Sequence, residues 1–111
     1  MTRRTVDPDA VFDHLREILD RVDVRVERAI VFGSVARGDH DESSDVDVVL
    51  VSADFEGVPG AERGRPFRDA WDYEEFGAVD FLPYTPAEYD RHRDRTDSLV
   101  DTAETNGVRL A

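Results

Sequence analysis

The 111 residues contain no cysteine, so neither disulfides nor a zinc–thiolate site is available. Lysine is missing as well, and every one of the fourteen basic residues is arginine. No apolar run approaches the ~20 residues that cross a membrane. The N-terminus, Met1 to Pro8, lacks the apolar core of a signal peptide. These absences predict a soluble, cytoplasmic protein. Nor is there an Arg-rich run able to follow a nucleic-acid backbone. Arg91, Arg93 and Arg95 come nearest, but Asp90, Asp94 and Asp97 stand among them, the pattern of a solvated helix face. A polynucleotide substrate is therefore disfavoured. The length suits one domain, residues 1–111, with a single core, and there are no repeats or low-complexity segments.

Negative charge is what the chain has in abundance. The formal net charge is −12, and aspartate clearly outnumbers glutamate. An acidic, lysine-free surface suits concentrated salt, where screening suppresses self-repulsion. A halophilic source is expected, and unfolding measured against KCl concentration tests it.

The chain is organised around residues 30–51. Ile30, Val31 and Phe32 are apolar, and two of them are β-branched, as a buried strand prefers. Gly33 permits a sharp turn and the close approach of a ligand. Ser34 adds a hydroxyl, and the following residues open a short helix whose free N–H groups attract phosphate. Gly38 ends that helix, and Arg37 lies near enough to reach a phosphate or, equally well, to pair with a neighbouring acid. Residues 39–44 form a polar loop, in which His40 is not expected to be a ligand.

The next strand runs from Asp45 to Val51. Asp45 and Asp47 are two apart, so their side chains leave one face. Like charges at ~4 Å repel by roughly 4 kcal/mol at an effective dielectric of 20, a cost that a divalent cation removes. Mg²⁺ favours one or two carboxylates together with substrate phosphates. Composition alone gives roughly two or three Asp-x-Asp triplets by chance, and the chain has Asp7/Asp9, Asp39/Asp41 and Asp45/Asp47. Only the last begins a Val/Leu run. A phosphate-binding turn followed by a metal-binding acid pair makes a site for a nucleoside triphosphate and its metal.

The flanking elements read as follows. Asp7-Pro8 starts a helix with Val11, Phe12, Leu15, Ile18, Leu19 and Val22 along one face, running to about Arg21. His14 lies beside that stripe as a surface or boundary residue. Val24, Val26, Ile30 and Phe32 form a strand that rises into Gly33. Residues 52–65, rich in glycine and proline, form a flexible excursion and a candidate lid. Pro66 opens a short helix through Trp71 and Tyr73, closed by Gly77. Trp71 suits core packing and could instead stack a base. Residues 78–82 form a third strand in which Asp80 stands between Val79 and Phe81. A buried carboxylate there needs a partner or a metal, and an edge-strand charge is the other reading. Thr85-Pro86-Ala87-Glu88 is a capping box that starts a last helix to about Thr105, ended by Asn106-Gly107. The result is a small α/β domain, α-β-α-β-α-β-α around a three-stranded mixed sheet.

The stretch from Phe32 to Gly38, with Ser44 to Asp47 and the strand after it, resembles the DNA-polymerase-β-like nucleotidyltransferase superfamily. More narrowly, it is similar to the minimal nucleotidyltransferases of prokaryotes. The resemblance implies a nucleotidyltransferase fold with three catalytic acids, Asp45, Asp47 and Asp80, holding two Mg²⁺ ions. Gly33, Ser34 and Arg37 would bind the nucleotide. It implies ATP as substrate and AMP transferred to a protein hydroxyl, a tyrosine of a HEPN-domain toxin, with this chain as antitoxin. Two alternatives remain. One is a transferase with a small-molecule acceptor, although those members usually carry a further domain. The other is an inactive module that neutralises its partner by docking.

Overall fold

The computed structural model describes residues 7–33, 46–93, 103 and 107–111. It opens with helix α1, Pro8–Arg21, where the Asp7 side chain accepts from the Asp9 amide at 3.0 Å. Val11, Leu15 and Ile18 are its buried stripe, each contributing about 1.5–3 kcal/mol by leaving water. Strand β1, Arg28–Phe32, and strand β2, Val46–Val51, follow. A 3-10 turn at Ala53–Phe55 leads into the short helices α2, Gly60–Arg63, α3, Arg65–Ala70, and α4, Tyr73–Phe76. Strand β3, Val79–Tyr84, then helix α5, Pro86–Arg93, and strand β4, Val108–Arg109, complete the order. No helix among the described residues is long and apolar enough to cross a membrane.

The sheet order is β3-β2-β1-β4, with β1 antiparallel to both β2 and β4, and β2 parallel to β3. A mixed sheet was expected, but with three strands. The fourth is only two residues, Val108 and Arg109, opposite Val31 and Ile30, too short to leave a periodic signal. The two sheet faces are distinct. Ala29, Val31, Val46, Val48, Leu50 and Phe81 point into the main core beneath α1 and α3. Ile30, Phe32, Val49 and Val51 point the other way, with Leu82 and Tyr84, towards Tyr89 and Ala103. Both faces of β2 are covered, as its apolar alternate positions predict.

Three expectations are corrected. The first strand does not begin at Val24: Val24 and Val26 pack on the main core. The main chain there is held by side chains of the next turn. Ser52 Oγ donates to the Arg25 carbonyl at 2.6 Å, the Arg25 amide donates to Asp54 at 2.9 Å, and the Ala53 amide donates to Glu27 at 3.0 Å. Second, the helix from Pro66 to Gly77 is broken at Trp71 and Asp72, because the Asp72 carboxylate caps the Glu75 amide at 3.0 Å and starts a new turn. Third, residues 52–65 are not placed as a lid. They leave β2 after Val51, the end opposite Asp47, and are tied down by buried Ser52 and Phe55 and by Arg63 donating to the Val58 carbonyl at 2.9 Å.

The capping box is present in full. The Thr85 amide donates to Glu88 Oε1 at 2.8 Å, and the Glu88 amide donates to Thr85 Oγ1 at 3.2 Å. Arg63 also donates to Glu88 Oε1 at 2.6 Å, which ties α2 to α5. The Thr85 amide first, and then Arg63, hold the Glu88 carboxyl below its ordinary pKa. A lowered carboxyl pKa means stability that is whole above the unfolded value of about 4.3 and lost as the pH falls through the lower folded value. Glu88→Ala is expected to cost about 1 kcal/mol at pH 7 and progressively less as the pH falls through the lowered folded value, read from urea midpoints across that range. The predicted extension of α5 towards Thr105 falls mostly outside the described residues. Ala103 is helical, and the Gly107 amide donates to its carbonyl at 2.8 Å, as expected of a terminating glycine.

Candidate functional site

Gly33 ends β1 with φ +86°, a conformation natural to glycine alone. Its neighbour on the next strand is Asp47, since Phe32 pairs with Asp47 across the antiparallel β1–β2 ladder. A Cβ built on Gly33 would stand 2.9 Å from Asp47 Oδ2. The carboxylate therefore lies over the glycine, in space that any other residue would fill.

Asp47 is matched on its other side by Asp80. The parallel β2–β3 register sets Asp47 opposite Asp80, with Val46 opposite Val79 and Val48 opposite Phe81. Cross-strand partners share a face, so both carboxylates leave the same side of the sheet. That side is the one carrying Val49, Val51, Leu82 and Tyr84. Neighbouring strands are ~4.8 Å apart, which puts the repulsion near 3 kcal/mol at an effective dielectric of 20. The exposure of Asp80 reduces it. Exposure also overturns the idea of a buried third-strand acid. Asp80 is at the open rim of an edge strand, and Asp47 is half-buried.

The donor chemistry fits a hard divalent cation: two opposed carboxylates, one with an oxygen cleared of side-chain carbon by Gly33. Among the described residues no group of three or more His, Asp or Glu side chains forms a metal site. Asp45, Ser34 and Arg37 lie outside the described residues, as does His40. Of the six expected site residues, the structure thus brings together Gly33, Asp47 and Asp80.

Further along the same face, the Tyr84 ring packs against His92 at 5.0 Å between centroids. Burial first, and then the nearby Glu88 and Asp80 carboxylates, push the Tyr84 phenol above its usual range. No local pattern in the chain points to this, because it depends on which strand residues share a face with Asp80. Trp71 is not a base platform. Its ring is in the main core, on the face away from Asp47, and Nε1 donates to the Gly77 carbonyl at 2.9 Å. His14 is a boundary residue with a structural task. It stacks on Phe76 at 4.9 Å and accepts from the Asp72 amide through Nε2 at 3.0 Å.

Comparison with known proteins gives a family and a shared fold. The family model for the nucleotidyltransferase domain matches residues 13–104. A candidate nucleotidyltransferase from Sulfolobus solfataricus shares the fold at 20% identity and a TM-score of 0.58, over 93% of this chain and 78% of that one. A chain from the crystal structure of a toxin–antitoxin with AMP-PNP is similar at 18% identity and a TM-score of 0.63, over 90% of this chain and 72% of the other. No curated protein matches the sequence at a significant level.

Proposed function

The chain belongs to the nucleotidyltransferase domain family, and on that premise we propose that it transfers AMP from ATP to a hydroxyl of a partner protein. The acceptor assigned is a tyrosine of a cognate HEPN toxin, which makes this chain the antitoxin of the pair. The supporting observation is Asp47 facing Asp80, with one carboxylate oxygen over Gly33. The likeness to a chain of a toxin–antitoxin with AMP-PNP points the same way.

In this reading Asp45 and Asp47 would hold Mg²⁺, and Asp80 would complete a second metal position or take the proton of the incoming hydroxyl. Mg²⁺ held there would supply charge neutralisation at the triphosphate and at the leaving pyrophosphate. Gly33 lets the main chain approach the phosphates, which Ser34 and Arg37 help to hold. The acceptor oxygen bonds to the α-phosphorus as the bond to the bridging β-phosphate oxygen breaks, and pyrophosphate leaves.

The test is incubation with α-labelled ATP, Mg²⁺ and a HEPN-domain toxin, in concentrated KCl. Label on a toxin tyrosine is the expected result. Label on an added small molecule instead would assign a different acceptor class. Toxin neutralised without label would leave only a docking module. The acidic, lysine-free composition supports a high-salt setting for this chemistry. The unfolding midpoint is expected to rise with KCl, and full stability in dilute buffer would remove that part of the reading.

A further inference from the structure

The protein acceptor proposed above must reach Asp80, and Asp80 lies on the outermost strand of the sheet. β3 pairs with β2 on one side, and among the described residues no strand pairs with the other. The Val46 amide donates to the Ala78 carbonyl at 3.0 Å, and the Ser52 amide donates to the Tyr84 carbonyl at 3.1 Å. Strand alternation then turns the main-chain groups of Asp80, Leu82 and Tyr84 towards β2. Those of Val79, Phe81 and Pro83 point outwards.

These three outward positions are not equivalent. Pro83 has no N–H, so an added strand finds no donor at the Tyr84 end. Proline at such a position is how edge strands are kept from pairing. Val79 and Phe81 keep both donor and acceptor, and they flank Asp80. Among the described residues, no main-chain hydrogen bond joins either to anything beyond β2. The edge is thus blocked away from the acid, while beside it the outward main-chain groups are not used by β2, at half-buried Val79 and at Phe81, which is 6% exposed.

Acidic residues dominate the segment that leads into this edge, although the Arg68 guanidinium lies beside Gly64, which packs on Phe81. Asp69, Asp72, Glu74 and Glu75 lead into β3 and are exposed, as is Asp80. No arginine or histidine occurs between residues 69 and 90. On the same connection, Tyr73 is 49% exposed, the largest apolar side chain so placed among the described residues. An approaching chain therefore meets main-chain donors and acceptors, an acidic flank and one aromatic ring.

We propose that the outer edge of β3 docks the acceptor: a basic, extended segment of the partner protein pairs with Val79 and Phe81 and is thereby held with its hydroxyl at Asp80. Main-chain pairing fixes the register, and the acidic flank selects the charge. The inference rests on the protein-acceptor reading and adds to it how the acceptor is recognised.

The test uses three synthetic peptides. One has a central tyrosine between alternating valine and arginine. The second replaces arginine by glutamate. The third is the basic peptide N-methylated at the amides flanking tyrosine. Binding is followed by fluorescence anisotropy, and labelling by α-labelled ATP with Mg²⁺. The basic peptide is expected to bind and be labelled at least tenfold better than the other two. Val79→Pro is expected to lower its binding and labelling at least tenfold, while the thermal shift with ATP and Mg²⁺ stays as in the wild type. The Asp69→Arg, Glu74→Arg double variant is expected to weaken it at least fivefold. If Val79→Pro does not fold, the N-methylated peptide still decides the question. Equal binding of all three peptides, or no peptide bound by a chain that still binds ATP and Mg²⁺, overturns the docking inference. Absence of any ATP–Mg²⁺ thermal shift overturns the transferase reading instead, and the anisotropy measurement continues to judge the docking edge.

Discussion

Asp47→Asn is expected to lower nucleotidyl transfer by roughly 10²–10³-fold or more, the cost of removing one preorganised electrostatic group from a phosphoryl-transfer site, with the fold retained by circular dichroism. The argument is positional. Asp47 is the one described carboxylate that faces both Gly33 and Asp80. An asparagine there keeps the shape, loses the charge, and offers a cation one neutral oxygen. Nucleotide binding should fall with it. Ligand at 100 times its dissociation constant stabilises a protein by about 2.7 kcal/mol, which for a domain of this size raises Tm by roughly 10 °C or more. That shift, seen with ATP and Mg²⁺ in the wild type, should be largely absent in Asp47→Asn. Asp80→Asn divides the two roles left for the third acid. Turnover lost with the thermal shift retained marks a group that handles the acceptor, and loss of both marks a metal ligand. Because Asp80 is exposed, its replacement should move stability by no more than about 0.5 kcal/mol. Full activity in both variants would contradict the assignment.

How much of this was legible in the chain depends on the range of the interaction. α1 was readable because a cap, a proline and a 3.6-residue stripe agree with one another locally. β2 and the Thr85–Glu88 box were readable for the same reason. Asp47 stood out because carboxylates opening a Val/Leu run are a local contradiction, of the kind a functional site produces. Register was not legible. That Asp80 falls opposite Asp47, rather than one residue away and on the other face, follows from the β2–β3 pairing. β4 is invisible for a related reason: two residues become a strand only because Val31 and Ile30 are there to pair with them. The 52–65 segment misleads in the opposite direction. Its glycines and prolines read as a mobile excursion, whereas Ser52, Asp54 and Arg63 bind it to distant residues through side-chain contacts that no local pattern shows.

Gly33→Ala separates backbone strain from loss of the site. Two consequences of the added methyl are superimposed at this position. An L-residue at φ +86° costs about 1–2 kcal/mol, which lowers stability wherever it occurs. The second consequence is local, since the new carbon would lie 2.9 Å from Asp47 Oδ2, closer than real contacts allow. The carboxylate is a side-chain terminus and can rotate away, so the chain should still fold. Rotation, however, takes it from the position facing Asp80. Misplacement of a reacting group by about 1 Å costs on the order of 10²-fold, and a loss of that size in transfer is expected. Gly57 provides the control. It has φ +76° with nothing within 4 Å of a built Cβ, and it lies beyond the end of β2 remote from Asp47. Gly57→Ala should therefore show the same destabilisation, read from urea midpoints, and unchanged transfer. If both alanine variants lose activity alike, strain and not the Asp47 contact is responsible. If neither does, the space over Gly33 has no part in holding the carboxylate where the chemistry needs it.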